Sequence, residues 1–355
     1  MEIYAVIMAG GVGSRFWPRS REKKPKQLIK IFDNNTMIQN TVKRLNGLVS
    51  SKNIYVITNK IQKPTVIEQL PQIPEENIIA EPFGKNTAAC IGLASILIKQ
   101  KNPNAVTITL PSDHLIKDEE AFKNCLKNAC EFANESKGLV TIGIKPTRPE
   151  TGYGYIQFDE NEVSNNIYKV LTFAEKPNLN TAIRFLQAGD FLWNSGIFIW
   201  RVDVILNSIN KFLSDLYQGL IQLESKIGTQ EFESELVNVY GQLKSISIDY
   251  GVMEKADNVY LSKAEFYWND VGSWEAVYEI ADKNEEGNAI NGDVYTEQSF
   301  HSYIYSQKKF VATIGVEDLI IIDTDDALLV CRKDKAQEVR QVVEYLKMNK
   351  RTDLL

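Results

Sequence analysis

The sequence predicts an α/β protein with a mostly parallel sheet, followed by a smaller β-rich domain. In the first half, short β-branched runs alternate with helical patterns, which is typical of βαβ units. After a polar, loop-type cluster at 282–288, short β-like runs follow without helices until one terminal helix. The length of 355 residues also favours two domains. We therefore expect one domain over residues 1–285 and a second over 286–355.

The predicted elements locate the unusual segments of the chain. Strands are predicted at Ile3–Met8, Ile54–Thr58, Asn77–Ala80, Ala105–Leu110 and Leu139–Ile144, with helices at Thr36–Leu45, Thr87–Lys99 and Glu119–Asn134. The second domain has β-like runs at Tyr303–Tyr305, Phe310–Ile314, Leu319–Ile322 and Leu328–Cys331, and a helix near Lys335–Met348. Parallel sheets bind ligands beyond the carboxyl ends of their strands. Three unusual segments lie there: Ala9–Lys30, Glu81–Asn86 and Pro111–His114.

The composition excludes several classes of protein. Apolar residues at 44% and charged residues at 24% are typical of soluble globular proteins, and the net charge of −6 argues against a dedicated nucleic-acid binder. The four cysteines form no C-x-x-C pair and there are two histidines, so no zinc site is expected. The N-terminus is typical of a strand rather than a signal peptide, and no run approaches the ~20 apolar residues of a membrane span. We expect a cytoplasmic protein without membrane association.

The segment after the first strand indicates an anion site. Glycines at 10, 11 and 13 let backbone N–H groups approach an oxyanion, although a tight turn would use the same residues. The dinucleotide motif G-x-G-x-x-G fails because Phe16 stands at its last position, and the Walker motif is absent. Between Arg15 and Lys30, seven basic residues face a single acidic one. A solvated face is the alternative, but next to the glycines this run predicts a cradle for polyphosphate.

Carboxylates and amides after other apolar runs are the further candidates. Asp113 and Asp270 are suited to Mg²⁺, which takes few protein oxygens together with substrate phosphates, although Asp113 is equally suited to cap a helix. Spacing leaves Asp249 and Asp323 as competitors. Glu175 and Lys176 follow a strand-like run and would point opposite ways if it stays extended, and a surface pair is the alternative. Asn194 lies in an aromatic run and needs a polar partner, either backbone or ligand.

Taken together, the segments resemble the nucleotide-sugar pyrophosphorylases over nearly the whole chain. The matching segments, in family order, are A-G-G-V-G-S-R-F-W-P-R-S-R (9–21), K-P-K-Q-L (24–28), E-P-F-G-K-N-T-A (81–88), P-S-D-H (111–114), T-G-Y-G-Y-I (151–156), E-K-P (175–177), W-N-S-G-I-F (193–198), I-D-Y-G-V-M-E-K (248–255) and W-N-D-V-G-S-W (268–274). The resemblance implies a Rossmann-like nucleotidyltransferase domain and a small, left-handed β-helix-like domain. It also implies transfer of GMP from GTP to mannose 1-phosphate, giving GDP-mannose and pyrophosphate with Mg²⁺ as cofactor.

The resemblance also implies roles for individual residues. Arg15 and Lys26 would bind the triphosphate and neutralise the transition state, and Asp113 and Asp270 would hold Mg²⁺. The implied nucleotide-binding residues are Gly10, Gly11, Gly13, Ser14, Glu81, Asn86 and Ser112. The implied sugar-phosphate-binding residues are Gly154, Glu175, Lys176 and Asn194. The sugar phosphate is already a nucleophile, so such a reaction needs positioning and charge neutralisation rather than Ser, Cys or His.

The residues also suggest which base is bound. A carboxylate at Glu81 can accept hydrogen bonds from both N1–H and N2–H₂ of guanine, and the Asn86 amide can donate to O6. Alternatively, Glu81 only precedes a turn at Pro82, and Asn86 caps the next helix. Other interpretations are the same chemistry on another nucleotide or hexose phosphate, a non-catalytic relative, and a nicotinamide dehydrogenase, which the failed glycine motif disfavours.

Some positions depart from the family pattern. Lys85 and Ala89 replace residues common in the family, and Asn269 replaces an Asp that commonly precedes the metal-binding one, which removes one potential metal ligand. Bifunctional members of the family carry a further isomerase domain. Because the sequence ends at Leu355, we expect that second activity to be absent. A homodimer is compatible with this interpretation.

Overall fold

The computed structural model describes residues 1–355, and its main feature is a nine-stranded mixed sheet. The strands of the first part are β1 (Ile3–Met8), β2 (Ile54–Asn59), β3 (Ile78–Glu81), β4 (Val106–Pro111), β5 (Leu115–Ile116), β6 (Leu139–Ile144), β7 (Tyr155–Ser164), β8 (Ile167–Ala174), β9 (Phe191–Arg201), β10 (Val259–Lys263) and β11 (Trp268–Asn269). The sheet order is β3-β2-β1-β4-β9-β6-β10-β8-β7, and β5 pairs separately with β11. All five strands predicted in the first half form within a residue or so of their predicted ends.

The parallel part of the sheet carries the predicted ligand segments. Strands β2 and β4 flank β1 in parallel, and β3 continues the parallel array next to β2. Strand β9 then runs antiparallel to both β4 and β6. Since β1, β3 and β4 all end at the same edge, the segments that follow them meet there.

Helices cover both faces of this sheet. They are α1 (Met37–Arg44), α2 (Lys63–Gln69), α3 (Asn86–Lys101), α4 (Glu119–Ser136), α5 (Leu179–Ala188), α6 (Val202–Phe212), α7 (Ser214–Glu224), α8 (Phe232–Gln242), α9 (Trp274–Ile280) and α10 (Arg340–Met348). One buried apolar cluster lies under α1, α2 and α4, and another under α3, α6, α7 and α8. The short helix α2 was not predicted because Pro64 interrupts its helical pattern, although proline is well tolerated in a first helical turn.

The C-terminal region forms a separate four-stranded sheet. Its strands are β12 (Ala289–Glu297), β13 (Tyr303–Ile314), β14 (Leu319–Asp323) and β15 (Leu328–Arg332). The pairs β12–β13 and β13–β14 are parallel, and β14–β15 is antiparallel. Two predicted runs are one strand, β13, and β12 was missed because its Asn-Gly-Asp tripeptide breaks the apolar pattern. The predicted terminal helix begins as a 3₁₀ turn, Lys333–Val339, before α10.

The second sheet packs against the glycine-rich loop of the first part. Phe16, Trp17 and Trp274 share a buried apolar cluster with residues of β13 and β14. The Trp17 indole N–H donates to the Leu354 carbonyl at 3.0 Å, and the Trp274 indole donates to the Trp17 carbonyl at 3.1 Å. These contacts fix the loop between the two parts. None of the helices has the length and apolar character needed to cross a membrane.

Candidate active site

A cleft at the carboxyl edge of the parallel strands brings the predicted phosphate and metal residues together. It has a volume of about 360 Å³. Its lining residues are Val12, Gly13, Ser14, Arg15, Phe16, Lys26, Asp113, His114, Asp270, Val271 and Gly272. The loop after β1, the segment after β4 and the turn after β11 therefore form one site.

Lys26 lies at the centre of this cleft. Its side chain is buried, and its ammonium group donates to Asp113 Oδ2 at 2.8 Å and to the Asp270 backbone carbonyl at 2.6 Å. A buried ammonium group requires such partners, because burial of an unpaired charge is costly. Lys26 therefore links the two predicted metal-binding segments.

The charges around Asp113 favour its ionised form. Burial alone would raise the pKa of Asp113, but the Lys26 ammonium group holds that pKa below its ordinary value. For His114 the neutral form is favoured, because burial lowers the pKa of its imidazole to about 4. The Trp268 indole N–H donates to His114 Nδ1 at 3.1 Å, so the neutral ring carries its proton on Nε2, which faces Asp113 at 4.0 Å.

Asp270 is held in a strained turn. Tyr153 donates its hydroxyl hydrogen to Asp270 Oδ1 at 2.5 Å. The next residue, Val271, has φ = 50°, a left-handed conformation that is rare for a β-branched residue. The Asn269 side-chain oxygen accepts the Val271 N–H at 2.7 Å and so stabilises this turn. Asn269 therefore supports the turn, a role that requires an acceptor oxygen and not a carboxylate charge.

The donor set fits a magnesium ion that keeps most of its ligands from substrate and water. Two carboxylates from separate segments line the cleft, and Mg²⁺ is commonly bound by one or two carboxylates plus phosphates. No cluster of three or more His, Cys, Asp or Glu side chains is present that would form an all-protein metal cage. Of the two competitors, Asp323 lies in β14, where it accepts from Ser306 and Lys309, and Asp249 lies beside Asn194.

Buried amides hold the glycine-rich loop. Gln27 donates to the Ala9 carbonyl at 3.0 Å and to the Gly11 carbonyl at 2.9 Å, and Gln62 also donates to Gly11. Gly13 has φ = 59°, and a Cβ there would lie 2.8 Å from the Lys26 backbone nitrogen. The loop therefore requires glycine at 13 for both its conformation and its packing. This role of Gln27 was not predicted from the sequence, although Gln27 lies in the K-P-K-Q-L segment at 24–28.

The basic residues that were predicted to bind polyphosphate together lie in two different places. Arg15 and Lys26 line the cleft, as expected. Arg19 instead lies over the Tyr305 ring at 4.0 Å, and Arg21 forms a 2.7 Å ion pair with Asp326. The prediction of one continuous polyphosphate cradle was therefore wrong for these two arginines. Their side chains turn to the second sheet because its aromatic and acidic residues lie directly beside the loop.

Glu81 lies near the start of the same loop. It is the last residue of β3, only 8% exposed, and accepts the Tyr240 hydroxyl at 3.1 Å on Oε1. Its Oε2 faces Gly10, where an added Cβ would lie 3.7 Å away. Burial raises the pKa of Glu81 to about 7 against the lowering effect of the Tyr240 hydroxyl. Glu81 is thus a buried carboxylate beside a phosphate-type loop.

Two further predicted nucleotide residues have mainly local contacts. Asn86 is exposed, with φ = 67°, and its side-chain oxygen accepts the Thr87 N–H at 2.8 Å. This contact uses the oxygen and leaves the amide donors facing outward from the start of α3. Ser112 is buried, its backbone carbonyl accepts from Thr41, and it does not line the cleft.

The predicted sugar residues lie together in a second group. The Asn194 N–H donates to the Gly154 carbonyl at 2.8 Å, and a Cβ at Gly154 would clash with Glu175 Oε2. Glu175 Oε2 is buried and lacks a hydrogen-bond donor. The Asn194 amide donates to Asp249 Oδ1 at 2.8 Å, which places Asp249 in this group. From sequence spacing alone, Asp249 was a candidate metal ligand. In the structure it contacts Asn194 instead.

Glu175 and Lys176 do not point opposite ways. Strand β8 ends at Ala174, and Lys176 adopts φ = 49°, so the chain turns and the condition of an extended strand is not met. The Lys176 ammonium group then contacts Glu175 Oε1 at 2.7 Å. This turn leaves a half-exposed cation next to a residue whose other carboxylate oxygen, Oε2, is buried.

Comparisons with known proteins agree with this geometry. Residues 4–287 match the nucleotidyl transferase family model, and residues 293–346 match that of the MannoseP isomerase/GMP-like beta-helix domain. A mannose-1-phosphate guanylyltransferase of Escherichia coli is 39% identical, covering 98% of this chain and 76% of that protein. One of Salmonella typhimurium is 40% identical, covering 99% and 74%. The chain belongs to the mannose-1-phosphate guanylyltransferase family.

A solved structure with the same fold as this chain supports the family assignment. It is named mannose-1-phosphate geranyltransferase, comes from Thermus thermophilus and superimposes with a TM-score of 0.89 at 33% identity, covering 98% of this chain and 100% of that one. The predicted α/β nucleotidyltransferase fold with a β-helix-like second domain is confirmed. The resemblance to nucleotide-sugar pyrophosphorylases is confirmed as well.

Proposed function

We propose that this protein transfers GMP from GTP to mannose 1-phosphate, producing GDP-mannose and pyrophosphate. One observation carries most of the weight: Lys26 joins Asp113 and the Asp270 segment in a cleft that the glycine-rich loop borders. A cation and two carboxylates beside backbone N–H groups suit a reaction between two phosphates. Ser14 and His114 both line the cleft, but His114 is bonded to the Trp268 indole and no hydrogen bond joins it to Ser14, as a Ser–His pair for nucleophilic catalysis would require.

In the proposed reaction, a phosphate oxygen of mannose 1-phosphate attacks the α-phosphorus of GTP. The new P–O bond forms as the bond from the α-phosphorus to the bridging oxygen breaks, and pyrophosphate leaves with that oxygen. Arg15 and Lys26 neutralise the charge on the triphosphate, and Gly10, Gly11, Gly13 and Ser14 contact it through their backbone. Lys26 must then move from Asp113 towards the phosphates.

Asp113 and Asp270 are proposed to hold Mg²⁺. When bound, the ion would neutralise phosphate oxygens and leave the α-phosphorus more open to attack. The Tyr153 hydroxyl donates to Asp270 Oδ1, whereas Asp270 Oδ2 accepts no hydrogen bond within the protein. The Lys26 contact likewise occupies only one of the two Asp113 oxygens.

Two groups of residues are proposed to bind the base and the sugar phosphate. Glu81 and Asn86 are proposed to read guanine, since a carboxylate accepts from N1–H and N2–H₂ and an amide donates to O6. Gly154, Glu175 and Asn194 are proposed to bind sugar hydroxyls, because Glu175 Oε2 is buried without a donor that a hydroxyl would supply. Lys176 would bind the sugar phosphate. Ser112, buried below the cleft, would contribute to the nucleotide site only through its backbone.

The test is a substrate matrix. Purified protein is incubated with each of GTP, ATP, UTP, CTP and dTTP and with mannose or glucose 1-phosphate, with Mg²⁺ present or chelated, and pyrophosphate release is followed. Asp270→Asn is the inactive control. GDP-mannose should form only with GTP, mannose 1-phosphate and metal. Formation of a different nucleotide sugar would replace this proposal by the same chemistry on another substrate.

The domain assignment is part of the proposal. We place the boundary near residue 285, within the polar segment between α9 and β12. Residues 1–285 would contain every side chain assigned to the reaction, and residues 286–355 would support the glycine-rich loop through contacts such as that of Trp17 with Leu354.

A further inference from the structure

A single stretch of chain connects the proposed base site, at Glu81, with the proposed sugar site, at Asn194. It comprises residues 240–249, from the end of α8 to the first residue of a π-helical turn, Asp249–Met253. We call it the connecting segment. Its first side chain, Tyr240, touches Glu81, and its last, Asp249, touches Asn194. Neither contact was predicted from the sequence.

At the base end, Tyr240 controls the orientation of a buried carboxylate. The Tyr240 ring is fully buried, and its hydroxyl lies 3.1 Å from Glu81 Oε1 and 3.3 Å from the Ala89 carbonyl. Glu81 has no ion pair. Donation to Oε1 leaves one lone pair on that oxygen and both on Oε2, which faces Gly10. The carboxylate is thereby held with its edge towards the loop, where a base with paired donors would bind.

At the sugar end, Asp249 fixes the orientation of an amide. Asn194 Oδ1 accepts from Thr141 Oγ1 at 3.0 Å and from the Gly196 N–H at 3.1 Å, and its Nδ2 donates to Asp249 Oδ1 at 2.8 Å. With both sides of the amide bound, Asn194 cannot flip, and one N–H remains for a ligand. Burial, together with nearby Glu175, raises the pKa of Asp249 to about 6.

Between these ends, the connecting segment is bonded to Lys85 and to the first turn of α3, which carries Asn86. The Lys85 ammonium group donates to the Leu243 carbonyl at 2.6 Å, and the Ala88 N–H donates to the Ile246 carbonyl at 3.2 Å. The Ile248 N–H donates to Thr87 Oγ1 at 2.9 Å. These three bonds join the connecting segment to the stretch of chain that leads from Glu81 into α3.

We propose that Tyr240 and Asp249 are positioning residues for substrate selection, Tyr240 acting through Glu81 on the base and Asp249 acting through Asn194 on the sugar. The proposal rests on the function proposed above, because it takes Glu81 and Asn194 as ligand contacts. Under this proposal the connecting segment both packs in the apolar core and orients two ligand-binding side chains. Glu81 and Asn194 would thus be oriented for one base and one sugar. A substrate with the wrong base or sugar would leave their polar atoms without hydrogen-bond partners.

The base end is tested with Tyr240→Phe, which removes one hydroxyl and keeps the ring. The matched control is Tyr278→Phe, since Tyr278 is also buried and donates only to the Gly287 carbonyl at 3.0 Å. We expect Tyr240→Phe to lower the ratio of kcat/KM for GTP to that for ATP about tenfold. The KM for mannose 1-phosphate should stay within about twofold of the wild-type value in both variants.

The sugar end is tested with Asp249→Ala and with Asp249→Asn, which retains an acceptor oxygen for the Asn194 amide. Asp249→Ala should raise the KM for mannose 1-phosphate about tenfold, with nucleotide preference unchanged, and Asp249→Asn should restore most of the loss. Asp323→Asn is the control, since Asp323 is a buried carboxylate in β14 that accepts hydrogen bonds from Ser306 and Lys309. Melting temperatures of all variants separate these effects from loss of fold.

The outcomes distinguish the inference from the proposed function. If wild type makes GDP-mannose but Tyr240→Phe keeps its nucleotide preference and Asp249→Ala its KM, the two residues are structural and the inference is overturned. If wild type prefers another nucleotide, the proposed function fails. The inference is then judged by whether Tyr240→Phe weakens that other preference. Absence of any nucleotide binding by calorimetry would overturn both.

Discussion

The buried Lys26 forms an ion pair with the partly exposed Asp113, with 2.8 Å between the ammonium nitrogen and Asp113 Oδ2. The same ammonium group also contacts the Asp270 backbone carbonyl. Without substrate, the lysine therefore occupies the carboxylate that is proposed to hold Mg²⁺. Binding of a triphosphate would give Lys26 an alternative anionic partner and free an Asp113 oxygen for the metal. Substrate and metal binding are thereby expected to be coupled.

Asp270 gives the cleaner test of the metal site. Because Lys26 contacts its backbone and not its carboxylate, Asp270→Ala leaves the Lys26–Asp113 pair intact. We expect kcat to fall at least about 10²-fold, as loss of a metal ligand removes several kcal/mol of charge stabilisation. Calorimetric titration with Mg²⁺ and GTP should show weaker metal binding with an unchanged melting temperature. Near-normal turnover at ordinary Mg²⁺ would remove Asp270 from the metal site.

Lys26 and Lys176 should have separable kinetic effects. Lys26 is buried in the phosphate cleft, whereas Lys176 is half-exposed beside Glu175. Lys26→Ala should lower kcat on the order of 10²–10³-fold, since charge on the triphosphate grows in the transition state. Lys176→Ala should mainly raise the KM for mannose 1-phosphate. Steady-state kinetics with each substrate varied will show which parameter changes, and an exchanged pattern would reject these roles.

The parallel half of the fold was predictable because its strands are continuous β-branched runs. Ile54–Asn59 and Val106–Pro111 are buried on both faces and so need no alternation of polar residues. Strand β12 has mostly exposed residues and contains Gly292, and therefore has no such signal.

The candidate site was predictable where residues follow strands and not where they pack across the chain. Lys26, Asp113 and Asp270 meet because their segments end at one sheet edge. Tyr240 and Glu81 are 159 residues apart, and their contact depends on how α8 packs on the sheet. No local pattern marks a tyrosine that will orient a distant carboxylate.

Gly13 provides a prediction about stability. A Cβ at this position would lie within 3 Å of Lys26 and Ser20 atoms, and its φ of 59° is unfavourable for other residues. Gly13→Ala should therefore lower the free energy of unfolding by about 1–3 kcal/mol. Gly11→Ala is the matched control, because no atom lies within 4 Å of an added Cβ there. Denaturant unfolding measures both, and equal effects would show that the loop adapts.

The raised pKa of Glu81 predicts a pH-dependent stability. Its folded-state pKa of about 7 exceeds the ordinary 4.5 because of burial, so the folded protein holds a proton that the unfolded chain releases between these values. The carboxylate therefore destabilises the fold by up to about 3 kcal/mol above pH 7, and this cost disappears as pH falls to about 4.5. Glu81→Gln should be more stable than wild type at about pH 8 and equal to it near pH 4.5, as measured by denaturant unfolding at each pH.

The same carboxylate should control the binding of GTP. Guanine presents two N–H donors, which require the ionised form of Glu81, whereas a protonated carboxyl or an amide would place a donor against them. For wild type, the KM for GTP should rise as pH falls below about 7, where Glu81 takes up its proton. Glu81→Gln should bind GTP more weakly than wild type at pH 7 and above, and should lose that rise. Glu81→Gln also controls for the titration of the GTP phosphates. Because the variant lacks the Glu81 carboxyl, any change in its KM with pH comes from GTP and not from residue 81. A Glu81→Gln enzyme with wild-type preference for GTP, or parallel pH profiles for the two proteins, would place guanine recognition elsewhere.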